Sequence, residues 1–154
     1  MGILNIARKA SVWRGYKYYK ENKVTNFTKV NETCYTSKIL GNKNVVYNIK
    51  LDVLHPRNST CNCPLSYGTK IICKHIIATY FTAFPKEAIN YNQELINAQI
   101  QAEKDEQIML DKVTNYVCNL SKKEAQQELL NLLLNGPDWQ YNNFITTHEL
   151  NEND

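Results

Sequence analysis

Apolar positions change their spacing several times along the chain, and each change marks a different kind of element. Leu4, Ala7, Val12, Tyr16 and Tyr19 recur at helical intervals and predict a helix over residues 4–22. Gly15 falls inside it and weakens it by about 1 kcal/mol relative to Ala. Three β-type runs follow, Val24 to Val30, Cys34 to Leu40 and Val45 to Val53, with turn candidates at Asn31-Glu32 and Gly41-Asn42-Lys43-Asn44. In the third run Tyr47, Ile49, Leu51 and Val53 alternate with polar residues and share one face. The runs predict a three-stranded antiparallel meander.

Leu54 to Thr60 has loop character. Ile72 to Phe84 is apolar nearly all round, the pattern of a buried helix, and Pro85 ends it. The texture then turns polar, predicting a Gln-, Glu- and Asn-rich helix over about 86–119. Ser121 and Glu124 form a capping box that opens a last helix, which Gly136-Pro137 closes after Asn135. Five leucines between Leu129 and Leu134 crowd that helix, so it must bury against something. His148 to Asp154 reads as a flexible tail. The fold class expected is α+β: an N-terminal helix, a small three-stranded antiparallel sheet, a buried helix and a C-terminal helical region. The expected division is residues 1–85, 86–147 and 148–154.

Composition adds little to this picture and charge adds much. With 154 residues and 43% hydrophobic content, the chain can build one modest core. Net charge is +3, but residues 1–84 hold 13 Lys and Arg against 3 Asp and Glu, while residues 85–154 hold 5 against 12. A half at +10 beside a half at −7 predicts two functional parts. No apolar run approaches the roughly 20 residues of a membrane span. The first residues lack the charge-then-apolar order of an export signal, so a cytoplasmic location without membrane contact is expected.

Five cysteines, an odd number, argue against a disulfide framework in such a chain. Cys61-Asn62-Cys63, nine residues, then Cys73-Lys74-His75 form a metal-ligand pattern. Tetrahedral zinc needs its sulfur ligands ~3.7 Å apart. Residues two apart in an extended segment point the same way, so Cys61 and Cys63 can converge. Residues two apart in a helix lie about 200° apart around its axis. Cys73 must therefore precede the apolar helix, with His75 in its first turn. Three thiolates and an imidazole favour Zn2+ and fill its shell, which makes the site structural. An iron–sulfur cluster, a redox switch or plain buried cysteines are the competing readings. Cys34 and Cys118 lack ligand neighbours and are expected to be ordinary buried cysteines. His55 is a loop histidine within reach of an outer role at the site.

Cys61-Asn62-Cys63-Pro64 followed by Cys73-Lys74-His75-Ile76-Ile77-Ala78 resembles the SWIM-type zinc finger, with its C-x-C, spacer, C-x-H order. Arg14-Gly15-Tyr16-Lys17-Tyr18-Tyr19 ahead of Lys23-Val24 looks like the usual run-in, so the likeness spans about residues 5–85. The resemblance implies a ββα finger, a role in DNA binding or protein contact, and in bacterial relatives an association with Snf-type helicases. No helicase segment is present among these residues, so a partner helicase would be expected as a separate protein.

Function then divides in two. DNA is the expected partner of the basic half, contacted by Arg8, Lys9, Arg14, Lys17, Lys20, Arg57, Lys70 and Lys74. Tyr16, Tyr18 and Tyr19 are either stacking platforms for single-stranded bases or packing residues. The alternative is a protein–protein interaction adaptor, in which the acidic helices dock on a partner protein or form a homo-oligomer. Catalysis is not expected: the thiolates are committed to metal, and no phosphate loop, Gly-rich fingerprint or nucleophile elbow is present.

Overall fold

The computed structural model describes residues 2–41 and 45–150. Its elements are α1 (Ile3–Ile6), α2 (Lys9–Lys20), β1 (Val24–Lys29), β2 (Cys34–Leu40), β3 (Val46–Asp52), β4 (Thr60–Cys61), α3 (Lys74–Ala83), α4 (Pro85–Cys118), α5 (Lys122–Asn135) and α6 (Asp138–Thr147). A 3-10 turn, Pro56–Asn58, precedes β4. The chain divides into two compact units, 1–97 and 98–154, with α4 belonging to both.

The α+β class holds, but the sheet has four antiparallel strands in the order β1-β2-β3-β4 rather than three. β4 is only two residues long and pairs Cys61 with Ile49 and Thr60 with Lys50. A two-residue strand has no readable period, and its partner lies across an intervening turn. The single helix expected over 4–22 is two helices. Ala7 and Arg8 are extended between them, and the break lets Ile3 bury in the core. The turn expected at residues 41–44 falls mostly on 42–44, which lie outside the described residues, as do 151–154 of the expected tail.

In the first unit the inward face of the sheet packs on α3. Tyr35, Ser37 and Ile39 of β2 and Ile49 and Leu51 of β3 alternate inward. They meet Ile76, Ile77 and Phe81, which are fully buried. Ser37 brings a hydroxyl into this core and satisfies it against Thr79 Oγ1 at 2.7 Å. Tyr16, Tyr19, Tyr80 and Tyr91 ring Phe81 at centroid distances of 5.6–6.1 Å. Gly15 has a packing role: a Cβ there would lie 2.6 Å from Ile77 Cβ and 2.7 Å from the Lys74 carbonyl oxygen. Its bare Cα lets α2 lie against the first turn of α3. The helical weakness predicted at Gly15 is the cost of that close approach.

The second unit is built differently. No described residue after Ala88 is buried. The capping box forms as the sequence predicts, with Glu124 N donating to Ser121 Oγ and Ser121 N donating to Glu124 Oε2. Gln-to-acid hydrogen bonds one turn apart line α4. Leu129, Leu130, Leu132 and Leu134 are exposed, contrary to the expectation that they bury. Cys118, expected to be buried, is exposed at the end of α4, and Cys34 is half-buried.

Candidate metal centre and basic surface

Each of the four residues of the C-x-C and C-x-H pairs is placed by a separate local device. Cys61 ends β4, held by its pairing with Ile49. Asn62 turns outward, and its Oδ1 accepts from Asn48 N at 2.8 Å, which extends the ladder by one side-chain bond. Cys61 and Cys63 are thereby left facing inward. The chain folds back at once, with Ser66 N and Tyr67 N both donating to the Cys63 carbonyl. Gly68 adopts a left-handed φ of 68° at the far end of the return loop. Ser66 Oγ donates to the Ile71 carbonyl at 3.0 Å and closes that loop. Cys73 is the extended N-cap residue of α3, and His75 is the second residue of the helix. This is the only arrangement in which residues two apart at a helix start can converge.

Cys61, Cys63, Cys73 and His75 come together with their ligand atoms all within 4.8 Å of one another, and all four are buried. His75 Nδ1 lies 3.6 Å from Cys61 Sγ and 3.9 Å from Cys73 Sγ. The nitrogen–sulfur edge of a tetrahedral zinc site is about 3.6 Å. Tyr47 stacks on the imidazole at 4.4 Å and Tyr18 meets its edge at 5.5 Å, so the ring orientation is held by packing.

The electrostatics fit a divalent ion. A hydrogen bond from Cys61 is the main influence on Cys73 and holds its thiol far below the ordinary range, at about 4, against the opposing effect of burial. The same bond, reinforced by burial, pushes the Cys61 thiol up, and burial pushes Cys63 up as well. Three buried thiols cannot all ionise beside one another on their own. A cation bound to all three sulfurs removes that penalty.

The eight candidate cations sort into three groups. Arg8, Arg57 and Lys70, distant in sequence, line one cavity. Arg14 and Lys74 line another beside Cys63, Cys73 and His75. Lys74 Nζ donates to Tyr18 Oη at 2.8 Å. Lys9, Lys17 and Lys20 form a stripe on α2 with Trp13, and Lys17 Nζ lies 4.2 Å from the Trp13 ring centroid. The tyrosines resolve as packing residues: Tyr18 is 7% exposed, and Tyr16 and Tyr19 pack against Phe81. Trp13, beside Lys17, is an exposed aromatic instead; Phe27 and Tyr67 are exposed elsewhere in the first unit. Sequence reasoning passed over Trp13, although its placement four residues from both Lys9 and Lys17 was a usable signal. His55 stands away from the four clustered side chains, with Nδ1 3.7 Å from Asp52 Oδ2.

Residues 44–83 match the family model of the SWIM zinc finger. With the buried three-cysteine, one-histidine cluster, that match identifies the metal as zinc. The match begins at residue 44, so the likeness upstream of it rests on the sequence alone. No curated protein and no solved structure matches the chain. Among the described residues no helix is long and apolar enough to cross a membrane.

Proposed function

We propose that Cys61, Cys63, Cys73 and His75 hold one structural zinc ion, and that the unit built on it binds nucleic acid, DNA foremost, without catalysis. The observation that carries this reading is where the acids go. Residues 1–84 contain Glu21, Glu32 and Asp52 as their only carboxylates. Glu21 pairs with Lys23, Glu32 with Lys29, and Asp52 lies against His55. None of the eight candidate cations has a carboxylate in ion-pair range among the described residues. Such a surface gains affinity by releasing counterions from phosphates, and that affinity depends steeply on salt. Zinc-loaded full-length protein should bind short single-stranded and duplex DNA at about 50 mM salt and weaken sharply by about 200 mM. Absence of binding at the lower salt would refute the reading.

A second reading applies to the acidic helices, and a specific observation favours it. Fourteen large apolar side chains of residues 98–150 are 44–71% exposed, and none is buried. Together they offer on the order of 1,000 Å2 of apolar surface, against about 800 Å2 per partner in a standard interface. A second copy of this chain is the occupant that this area suits, giving a homo-oligomer through the C-terminal helices. Sedimentation velocity over a concentration series tests it. A monomer throughout would leave the adaptor reading, with a different protein such as a separate helicase covering the helices.

A further inference from the structure

Arg8, Arg57 and Lys70 meet around one cavity of about 280 Å3, whose other walls are Ile6, Ile71 and Ile72. No carboxylate lines it, and none of the three cations has an ion pair or side-chain hydrogen bond among the described residues. We propose that this cavity is a phosphate pocket, filled by one phosphate group of a nucleic-acid backbone. The proposal rests on the nucleic-acid reading above and names the point of closest contact.

Three like charges around one cavity repel one another, and an anion among them replaces that repulsion with attraction. The fold holds each cation on a braced segment. Arg57 sits in the 3-10 turn, pinned by buried Pro56, by His55 N donating to Asp52 Oδ1 at 2.8 Å, and by Asp52 N donating to Ser59 Oγ at 3.0 Å. Lys70 lies between Thr69, whose Oγ1 donates to the Leu65 and Ser66 carbonyls, and Ile71, whose N donates back to Thr69 Oγ1. Arg8 is the N-cap residue of α2, a helix with no acid in its first turn, so the helix dipole adds positive potential at the same place. The apolar walls lower the local dielectric and concentrate that field. At about 30 Å3 per water the cavity has room for about nine waters, enough for a phosphodiester and part of its sugar. The lining holds no nucleophile and no general base, so its chemistry is binding alone.

The test uses full-length zinc-loaded protein and two charge-matched triple variants. One is Arg8→Gln, Arg57→Gln, Lys70→Gln; the control is Lys38→Gln, Lys50→Gln, Lys86→Gln, which removes three cations elsewhere. Inorganic phosphate, followed through the arginine Nε–H signals by NMR, should shift Arg8 and Arg57 saturably. Labelled short single-stranded and duplex DNA should bind the pocket variant about ten-fold more weakly at about 100 mM salt, with the salt slope reduced by about 1, the value for one neutralised phosphate. The control should lose less than about three-fold. Equal losses in the two variants overturn the pocket and leave the broader reading standing. No DNA binding by the wild type, with inorganic phosphate still saturating the arginine signals, overturns the broader reading and assigns the pocket to a free phosphate compound. No phosphate response in the wild type, with DNA binding unchanged in the pocket variant, overturns the pocket alone. Thermal melting of each variant with zinc bound excludes misfolding as the source of a loss.

Discussion

The two units of this chain solve the problem of stability in opposite ways. The first, residues 1–97, contains every buried residue described, including Phe81, Ile76 and the four clustered metal-ligating side chains. The second, residues 98–154, contains none and is ordered by local means. Those means are the Ser121–Glu124 capping box and hydrogen bonds one turn apart, such as Gln101 to Asp105 and Gln107 to Asp111. Each such pair contributes only about 0.2–0.5 kcal/mol. The comparison teaches that apolar content alone does not make a core. The second unit has leucines in plenty, but none of those described is buried.

The largest expected effect comes from removing the metal. Zinc binding contributes about 10–16 kcal/mol in small zinc modules, whereas a whole domain is stable by about 5–15 kcal/mol. Chelation, or Cys73→Ser, should therefore unfold much of residues 45–84, where β3, β4 and α3 meet the cluster. Helical circular dichroism from the second unit should survive. Unchanged near-UV signal and thermal stability after chelation would refute a structural role for zinc. Loss of all helix would show that the helices of the second unit depend on the zinc-bound fold of the first.

Next in size is Gly15→Val. Its side chain would press on Ile77 and the Lys74 carbonyl, the two neighbours of α3's first turn that bracket His75. Overpacking of this kind costs about 1–3 kcal/mol. The midpoint of denaturant unfolding should fall, and zinc should be released at lower chelator concentration than from the wild type. A midpoint unchanged from wild type would mean that α2 does not lie against α3 as described.

Gly15 also shows where the sequence could be understood and where it could not. Its helical position was legible, but its purpose was not, because Ile77 lies 62 positions further along the chain. The convergence of Cys61, Cys63, Cys73 and His75 was legible because close spacing and tetrahedral geometry leave few solutions. The same geometry placed the start of α3 at Cys73. The alternation of Ile49 and Leu51 marked the buried face of β3. What escaped was non-local or very short. β4 has too few residues to show a period, Asn62 acts through a backbone partner on another strand, and Arg8, Arg57 and Lys70 meet only once the fold exists. α6 was missed because the apolar residues of Asp138–Thr147, Trp139, Tyr141, Phe144 and Ile145, do not share one helical face. The leucines of α5 misled for the opposite reason: their number suggests burial, but number alone does not supply a surface for them to pack on.

A smaller and more local loss is expected from Ser121→Ala. It removes the acceptor for Glu124 N, and N-cap replacements of this kind cost about 0.5–2 kcal/mol. Because the residue lies in the second unit, the cost should appear as faster amide hydrogen exchange in the first turn of α5. The zinc-dependent transition should stay where it is. Slowed or unchanged exchange across residues 122–125 would show that the cap is not what holds the start of α5.

The smallest effect on the zinc unit, and the most discriminating, is expected from Leu130→Gln together with Leu134→Gln. Both side chains are more than half exposed, so within one chain their replacement should change stability by no more than about 0.5 kcal/mol. Zinc content and the metal-dependent unfolding transition should be unaltered. Self-association is a different matter, because the same two side chains contribute apolar area only where a second surface meets them. In sedimentation velocity the wild type should grow heavier with concentration, and the double variant should remain a monomer over the same range. If both behave alike, these leucines are not the contact. If the zinc transition moves as well, the stability of the first unit depends on these leucines of the second.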